Sequence, residues 1–446
     1  MNKLVDRMVH FFMRWIPDSF VIAIVLTLFT FALAISVGSF SPKETVISWG
    51  SGFWNLLKFT NQITLTLLLG YALANTQPIR NLLLKIAAMV KTPTAAYMIV
   101  CFITGMCALV SWGLSLITAG IIARAVGESC RRSGVVVHYP LLVASSFSGF
   151  VLWHQGLSSS IGLTLATPGH FLQSLTGVIP ITETLFTPWN MLLAFFVLVT
   201  MPFVMASLHP QDGDVQEFPH KLPAEKEDTD DGASPAPDNI TPAERLENSR
   251  LLSLAIIIIG LAYIWIHFVE EGLGLTLDIF NFSFLFAGLL LAGSPYRYIQ
   301  IIIEGGRVAS VFLLQYPFYA GIAAVMAGSG LVALLVEFFV QASNANTLPL
   351  YSFLSGGLLN LFIPSGGGQW AVQGPIMMAA AQELGANLPR VAMAVALGDQ
   401  WTNLIQPLSI VPVIAIAQVP LRAVMGYCFI ALFYSGLIFA TALFFF

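Results

Sequence analysis

From Leu359 to Pro412 the chain combines two properties that conflict in a bilayer. The stretch is apolar enough to enter hydrocarbon. Yet it carries Ile-Pro-Ser-Gly-Gly-Gly-Gln-Trp at 363–370 and Gly-Asp-Gln-Trp-Thr-Asn at 398–403, which are helix breakers and hydrogen-bonding side chains. Lipid cannot satisfy free backbone N–H and C=O groups, so irregular backbone at membrane depth survives only inside protein or against a water-filled cavity. Gly- and Pro-interrupted apolar segments matched in two halves of a chain point to the binding site of a secondary-transporter-like architecture. The remaining sequence reads as scaffold around such segments.

Composition supports that frame. The chain is 57% hydrophobic and 9% charged, with a mean hydropathy of +0.81, whereas a soluble domain holds about 25% charged residues. The apolar blocks run unbroken for about 16 to 25 residues, which spans a bilayer as helix and lacks the alternation of a spanning strand. The expected fold is an all-α polytopic membrane protein with about nine spans. The formal net charge of −4 says little, because about half of the acids fall between 209 and 249. Cys101, Cys107, Cys130 and Cys428 read as buried small hydrophobes that require neither a disulfide nor a metal. Lys3 to Trp15 reads as a retained amphipathic interfacial helix, since Asp6 interrupts its basic character and no small-residue cleavage site follows.

In chain order, spans are expected at 20–40, started by Pro17-Asp18-Ser19, and at 53–75, with a basic interfacial helix at 79–90. Residues 94–126 are apolar but interrupted by Ser111-Trp112-Gly113, and Lys and Arg flank both ends, so a hairpin entering and leaving from the cytoplasm is expected. Residues 139–165 form a helix with a polar middle. No Lys or Arg occurs between Ser133 and His220, which places 167–187 outside before 188–208 returns. The segment 209–249 is rich in Pro, Asp and Glu and cannot bury enough surface to order itself, so it reads as a disordered cytoplasmic linker. After it, spans are expected at 251–269 and 280–293, then an interfacial piece with Arg297 and Arg307, a span at 308–327 and a surface helix at 331–341. A second hairpin at 350–384 has no basic flank before Arg390 and is assigned entry from outside. A second polar-centred helix at 388–413 and a last span from 424 complete a second membrane repeat (250–446) that parallels the first (1–208). Pro140 aligns with Pro389, Gly149 with Gly398, His154 with Asn403 and Ser160 with Ser409 at one constant offset. The same order of interrupted elements with opposite charge flanks is the pattern of an inverted-topology repeat.

At these residues the chain resembles the bacterial short-chain fatty acid transporter family. Ile363 to Pro375, Gly398 to Asn403, Arg14 to Asp18 and Trp153 to Ser158 carry the likeness, which covers both membrane halves and omits the acidic linker. The resemblance implies an ion-coupled transporter of two inverted repeats, often dimeric, whose transport domain slides past a scaffold in elevator fashion. It also implies uptake of small monocarboxylates such as butyrate or acetoacetate across a bacterial inner membrane. No cofactor is called for beyond a coupling ion, H⁺ or Na⁺, and no nucleic-acid partner.

A short fatty acid presents one carboxylate and a few methylenes. Lys58 is the main cation in the apolar segments, and its long side chain is able to snorkel. The anion would therefore be held by exposed backbone N–H groups and neutral donors. Gly366, Gly367 and Gly368 permit close approach of backbone to an anion, and Ser365, Gln369, Thr402, Asn403 and Gln406 add donors. From the other half Ser111, Gly113, Ser115, His154, Gln155, Ser158 and Ser159 face the same centre if the repeat holds. Trp112, Trp370 and Trp401 serve as apolar walls or as packing residues. Asp399 is the sharpest residue, because an ionisable carboxyl inside a membrane segment is by default a functional hypothesis. Three roles stay open for it: a coupling proton carrier, a cap of the broken helix, or a Na⁺ ligand. His154 fits a titrating partner or a neutral structural histidine. Ser148 with His154 admits an intramembrane hydrolase, though no Gly-x-Ser-x-Gly elbow is present. A sodium-coupled carboxylate symporter or a cation/proton antiporter also fits the scaffold.

Overall fold

The structure, a computed structural model, describes Arg14, Pro17 and residues 19–210, 215–219 and 241–445. The expected interfacial helix at 3–15, Arg14 apart, lies outside the described residues, as do Asp18 and linker residues 211–214 and 220–240. Among the described residues all regular structure is helical, so the fold is all-α and polytopic.

Helix ends follow local chemistry. After α1 (Ser19–Ser36), Ser41 and Glu44 form a reciprocal capping box that starts α2 (Pro42–Gly52), with Pro42 in the first turn. This helix falls between the first two expected spans, where the sequence reading had assigned nothing. Next come α3 (Leu57–Ala74) and the half-exposed α4 (Gln77–Ala88). The Thr92 hydroxyl accepts from Ala95 N–H to cap α5 (Pro93–Val110), which turns at Ser111 into α6 (Trp112–Ser133). The first broken helix follows as α7 (Tyr139–Ser148), a 3₁₀ stretch Gly149–Gln155, and α8 (Ser160–Ala166). Every residue of those three pieces is buried, polar members included, so Ser145, Ser146, Ser148 and His154 lie inside with the rest. α9 (Pro188–Ala206) completes the first half.

The second half runs through α10 (Arg250–Trp265), α11 (Leu277–Ala292), α12 (Pro295–Gly328) and α13 (Leu331–Ala342). It then forms a second hairpin, α14 (Leu348–Asn360) and α15 (Gly366–Leu384), and a second broken helix, α16 (Leu388–Thr402) and α17 (Pro407–Ala417). α18 (Leu421–Phe445) closes the fold. The interfacial piece and span expected at 297–327 are one helix of 34 residues, about 51 Å long at 1.5 Å per residue. Gly305 and Gly306 do not break it. A methyl on Gly305 would fall 2.7 Å from Leu68 Cδ1, so this glycine serves close packing on α3. Six helices among the described residues are long and apolar enough to cross a membrane, including both arms of the first hairpin.

The two hairpins share backbone detail. Ser111 and Ser365 both sit in extended conformation at the tip (φ −156°, ψ 130° and φ −158°, ψ 112°). Left-handed Gly134 and Gly385 (φ 72° and 64°) end the second arms. In each half a glycine of the broken helix lies directly on the first hairpin arm. A methyl on Gly149 would sit 2.4 Å from Cys101 O, and one on Gly398 would sit 2.2 Å from Phe353 O. Only hydrogen fits at such crossings, which lets backbones approach as small residues do between membrane helices.

The open ends of the hairpins have different neighbours. The first lies by the start of the linker, where Tyr97 OH meets His209 Nδ1 at 2.7 Å and Phe218 packs edge-on against Tyr139 (centroids 4.9 Å). At the second, Gln382 Nε2 donates to Leu175 O in the loop after α8. Residues 215–219 thus depart from the expected solvated linker: Tyr139 N–H donates to Gln216 O at 2.7 Å, and Gln216 N–H to His138 Nδ1 at 3.0 Å. Phe218 supplies the apolar anchor that the acidic composition of the segment concealed.

Candidate functional site

Both hairpin tips rest on one short stretch, residues 153–160, which crosses the gap between the 3₁₀ segment and α8. Breaking a helix frees backbone groups that must find partners, and here other segments supply them. Leu157 N–H donates to Leu109 O at 2.8 Å, Trp112 N–H donates to Ser158 Oγ at 2.8 Å, and His154 N–H donates to Gln400 Oε1 at 2.9 Å. Two residues beyond Ser158, the second tip closes in. A methyl on Gly366 would come 2.5 Å from His154 Nε2, 2.7 Å from Trp153 Cη2 and 2.9 Å from Ser160 Oγ. Ser111–Gly113 and Ser365–Gly368 therefore converge on Ser158 and Ser160. All of these residues are buried except Trp112, which is half-buried.

His154 is the hub. Its Nε2 lies 3.1 Å from Asp399 Oδ2 and its Nδ1 3.1 Å from Ser159 Oγ, with His154 and Asp399 wholly buried. Asp399 Oδ1 has no hydrogen-bond partner among the protein atoms described. Around the pair, Trp153 Nε1 donates to Asn403 Oδ1 (3.2 Å), and Asn403 and Asn360 amides donate to Asp399 O (2.9 and 3.0 Å). The Asp–His contact is electrically neutral only while it holds one proton, and a buried net charge is costly. At the second tip Ser365 Oγ lies 2.8 Å from Tyr316 OH while accepting from Gly368 N–H. A methyl on Gly367 would meet Tyr316 OH at 2.6 Å and Phe59 Cζ at 2.9 Å. Rings continue from tip to tip: Trp153 to Trp112 (6.0 Å), Trp112 to Phe312 (6.0 Å), Phe312 to Tyr316 (6.2 Å) and Tyr316 to Phe59 (5.8 Å).

Of the residues singled out from sequence, His154, Ser158, Ser159, Asp399, Asn403, Ser365, Gly366, Gly367, Ser111 and Trp112 gather here. Gly368 faces Tyr319, and Gly113 packs on Leu67 and Gly70 of α3. Others point elsewhere. Ser115 Oγ donates to Thr104 O across the first hairpin, and Gln155 turns to Asn190 while accepting from Gln400. Gln369 Nε2 donates to Gly356 O, Thr402 Oγ1 to Gly357 O, and Gln406 caps α17 through Ser409 N–H. Trp370 packs on Gly374, and Trp401 donates to Leu432 O against Gly436. Ser148 donates to Ala144 O at 2.7 Å, away from His154, so the pair expected for a hydrolase does not form. Ser159 meets His154 but also accepts from Gly162 N–H as the cap of α8. Sequence reasoning passed over Tyr316, Asn360, Phe59 and Phe312, and only the polar Tyr316 and Asn360 stand out at all within their apolar helices.

Hairpins whose tips meet a broken helix at a buried polar centre define a polytopic α-helical membrane transporter fold. Two solved structures share it: the Alcanivorax borkumensis YdaH transporter (TM-score 0.57, 14% identity, 95% of this chain and 98% of that one) and Neisseria gonorrhoeae MtrF, described as illuminating a class of antimetabolite efflux pumps (0.55, 16%, 97% and 96%). The chain belongs to the short-chain fatty acid transporter family, whose model matches residues 1–446. A relative from Escherichia coli (strain K12), by name a candidate short-chain fatty acid transporter, is 40% identical over 436 residues, 98% of each chain. Another of that name from Haemophilus influenzae is 36% identical over 445 residues, again 98% of each.

Proposed function

We propose that the chain takes up short-chain monocarboxylates of the butyrate and acetoacetate class by proton symport across a bacterial inner membrane. The carboxylate is held between the glycine tip of α15, Ser365 and the serines of the broken helix, with Trp112, Trp153 and Tyr316 around the tail. Asp399 and His154 carry the coupling proton. The observation that carries this reading is the closure of Gly366 onto the buried His154–Asp399 pair, 2.5 Å from a would-be methyl to His154 Nε2. All named donors at the centre are neutral apart from that pair, so an entering anion adds a charge of −1 that a proton entering with it onto the pair cancels. The different neighbours at the two hairpin bases support an inverted repeat of 1–208 and 250–446, with the N-terminus and linker cytoplasmic. Family likeness supports a homodimer and an elevator motion.

The test is uptake of labelled butyrate and acetoacetate into proteoliposomes under separate H⁺ and Na⁺ gradients. Asp399→Asn is expected to retain substrate exchange and lose accumulation driven by a pH gradient; uphill uptake at the wild-type level in that variant removes Asp399 from coupling. One observation favours a sodium-coupled alternative. Asp399 Oδ1, Asn360 Oδ1 and Gln369 Oε1 are buried acceptor oxygens without hydrogen-bond partners among the described residues, the oxygen chemistry a hard cation prefers. Accumulation driven by Na⁺ alone selects it.

A further inference from the structure

Beside the buried centre, and outside it, lies a cavity of about 100 Å³ opening at the surface, built from three separated stretches of chain. The start of α3 contributes Lys58 and Phe59, the end of α8 and its following loop contribute Thr164 and Phe171, and α11 contributes Leu277. The Lys58 side chain is exposed and makes no ion pair with any described residue. Phe59 is the shared wall. Its ring packs on Phe171 at 5.3 Å and on Tyr316 at 5.8 Å, and its Cζ would lie 2.9 Å from a methyl on Gly367. One aromatic ring therefore separates the cavity from the glycine tip.

We propose that this cavity is an outer binding station for a short-chain carboxylate, with Lys58 as its cation, Phe59 and Phe171 as the floor for its tail, and the Phe59 ring as the gate to the second tip. The inference rests on the transport reading and adds a waiting site and a route to it. Charge distribution places the three lining stretches on one face, the one assigned to the outside, as uptake requires. An ammonium at the lip of the cavity selects for negative charge, and the short apolar floor of Phe59 and Phe171 selects for a short tail. Lys58 gives the approaching anion the charge complement that the centre lacks. It stands outside the closed tips, so it need not follow the substrate through.

The experiment uses the full chain in proteoliposomes. Lys58→Gln is expected to raise KM for butyrate about tenfold with Vmax close to wild type, the effect of losing one charge-assisted hydrogen bond, and Lys58→Arg to restore it. A cysteine at the exposed Asn55 on the cavity rim reports occupancy directly. Butyrate is expected to slow its modification by a charged methanethiosulfonate, and Lys58→Gln to abolish that protection. Wild-type uptake together with an unchanged KM in Lys58→Gln, or labelling indifferent to butyrate, overturns the outer station and leaves the transport reading standing. Absence of uptake in the wild type itself strikes the transport reading, while the labelling arm still reports whether the cavity binds a carboxylate.

Discussion

Gly366→Ala tests the central geometry most sharply, because the added atom has nowhere to go. The new Cβ would lie 2.5 Å from His154 Nε2, 2.7 Å from Trp153 Cη2 and 2.9 Å from Ser160 Oγ. Relief of the first contact needs a shift of about 1 Å toward ordinary van der Waals separation. His154 is held on its far side by Ser159 Oγ and through its backbone by Gln400, so the ring has little freedom. Its Nε2 lies 3.1 Å from Asp399 Oδ2, so a shift of the ring away from that oxygen breaks the contact. Overpacking costs about 1–3 kcal/mol, and loss of a hydrogen bond to a charged group about 1.5–3 kcal/mol. The sum, about 2.5–6 kcal/mol, is to be read from thermal unfolding in detergent beside butyrate exchange in proteoliposomes. Gly50→Ala is the matched control, since a methyl there meets nothing within 4 Å, and it should leave stability within about 1 kcal/mol. A Gly366→Ala protein that melts with wild type and exchanges butyrate normally refutes the contact between the second tip and the His154–Asp399 pair.

Gly149→Ala and Gly398→Ala should destabilise to similar extents, since each drives a methyl within 2.4 or 2.2 Å of a carbonyl oxygen on the first hairpin arm; tolerance of one and not the other in a thermal melt breaks the structural equivalence of the halves. His170 gives a pH dependence in the loop after α8. Burial lowers its proton affinity below the ordinary imidazole value, against the opposing pull of Gly177 O, while Nδ1 accepts from Leu172 N–H. The folded loop therefore binds fewer protons than the unfolded chain just below pH 6.5, so its stability is complete above about pH 6.5 and declines as pH falls below that value. Protection factors at 170–177, taken relative to the intrinsic exchange rate at each pH, should fall at pH 5 relative to pH 7.5, and pH-independent protection in that window counts against it. Exchange should also differ between the tips. Gly113 lies on the backbone of Leu67, whereas Gly367 and Gly368 lie on side chains of Phe59, Tyr316 and Tyr319 that can rotate, so amides at 365–368 should exchange faster than those at 111–115. Equal protection at both tips opposes this.

Interruptions were legible because their causes are local: Ser111 and Ser365 break apolar runs visibly, and Pro140 and Pro389 mark the two broken helices. Pro42, Pro93, Gly134 and Gly385 act through backbone dihedrals in the same local way, but they played no part in the expectations drawn from sequence. Faces were not legible. Asp399 and Trp401 belong to one polar string, but two residues are about 200° around a helix. Asp399 accordingly meets His154, while Trp401 turns to Leu432 and Gly436. Trp370 stands one turn inside α15 from Gly366 and packs against Gly374 rather than the centre. Phe59 and Phe312 resemble any lipid-facing phenylalanine in sequence, and only the fold of α3 and α12 around the tips gives them a role. At 215–219 composition misled, since Phe218 is buried against Tyr139 among polar neighbours.

On the proposed reading, the lack of a lysine or arginine among the described residues at the centre is what ties the anion to its co-transported charge. A fixed cation there would hold a carboxylate whatever the state of Asp399 and His154, and slippage without the coupling ion would follow. A centre of serines, amides and glycine backbone offers hydrogen bonds but little net charge. The anion's stability then depends on whether the His154–Asp399 pair carries its proton, or whether a cation sits on the free oxygens near it. Lys58, one aromatic ring away at the surface, can attract the substrate without weakening that dependence. Capture and coupling are thus separated in space by Phe59.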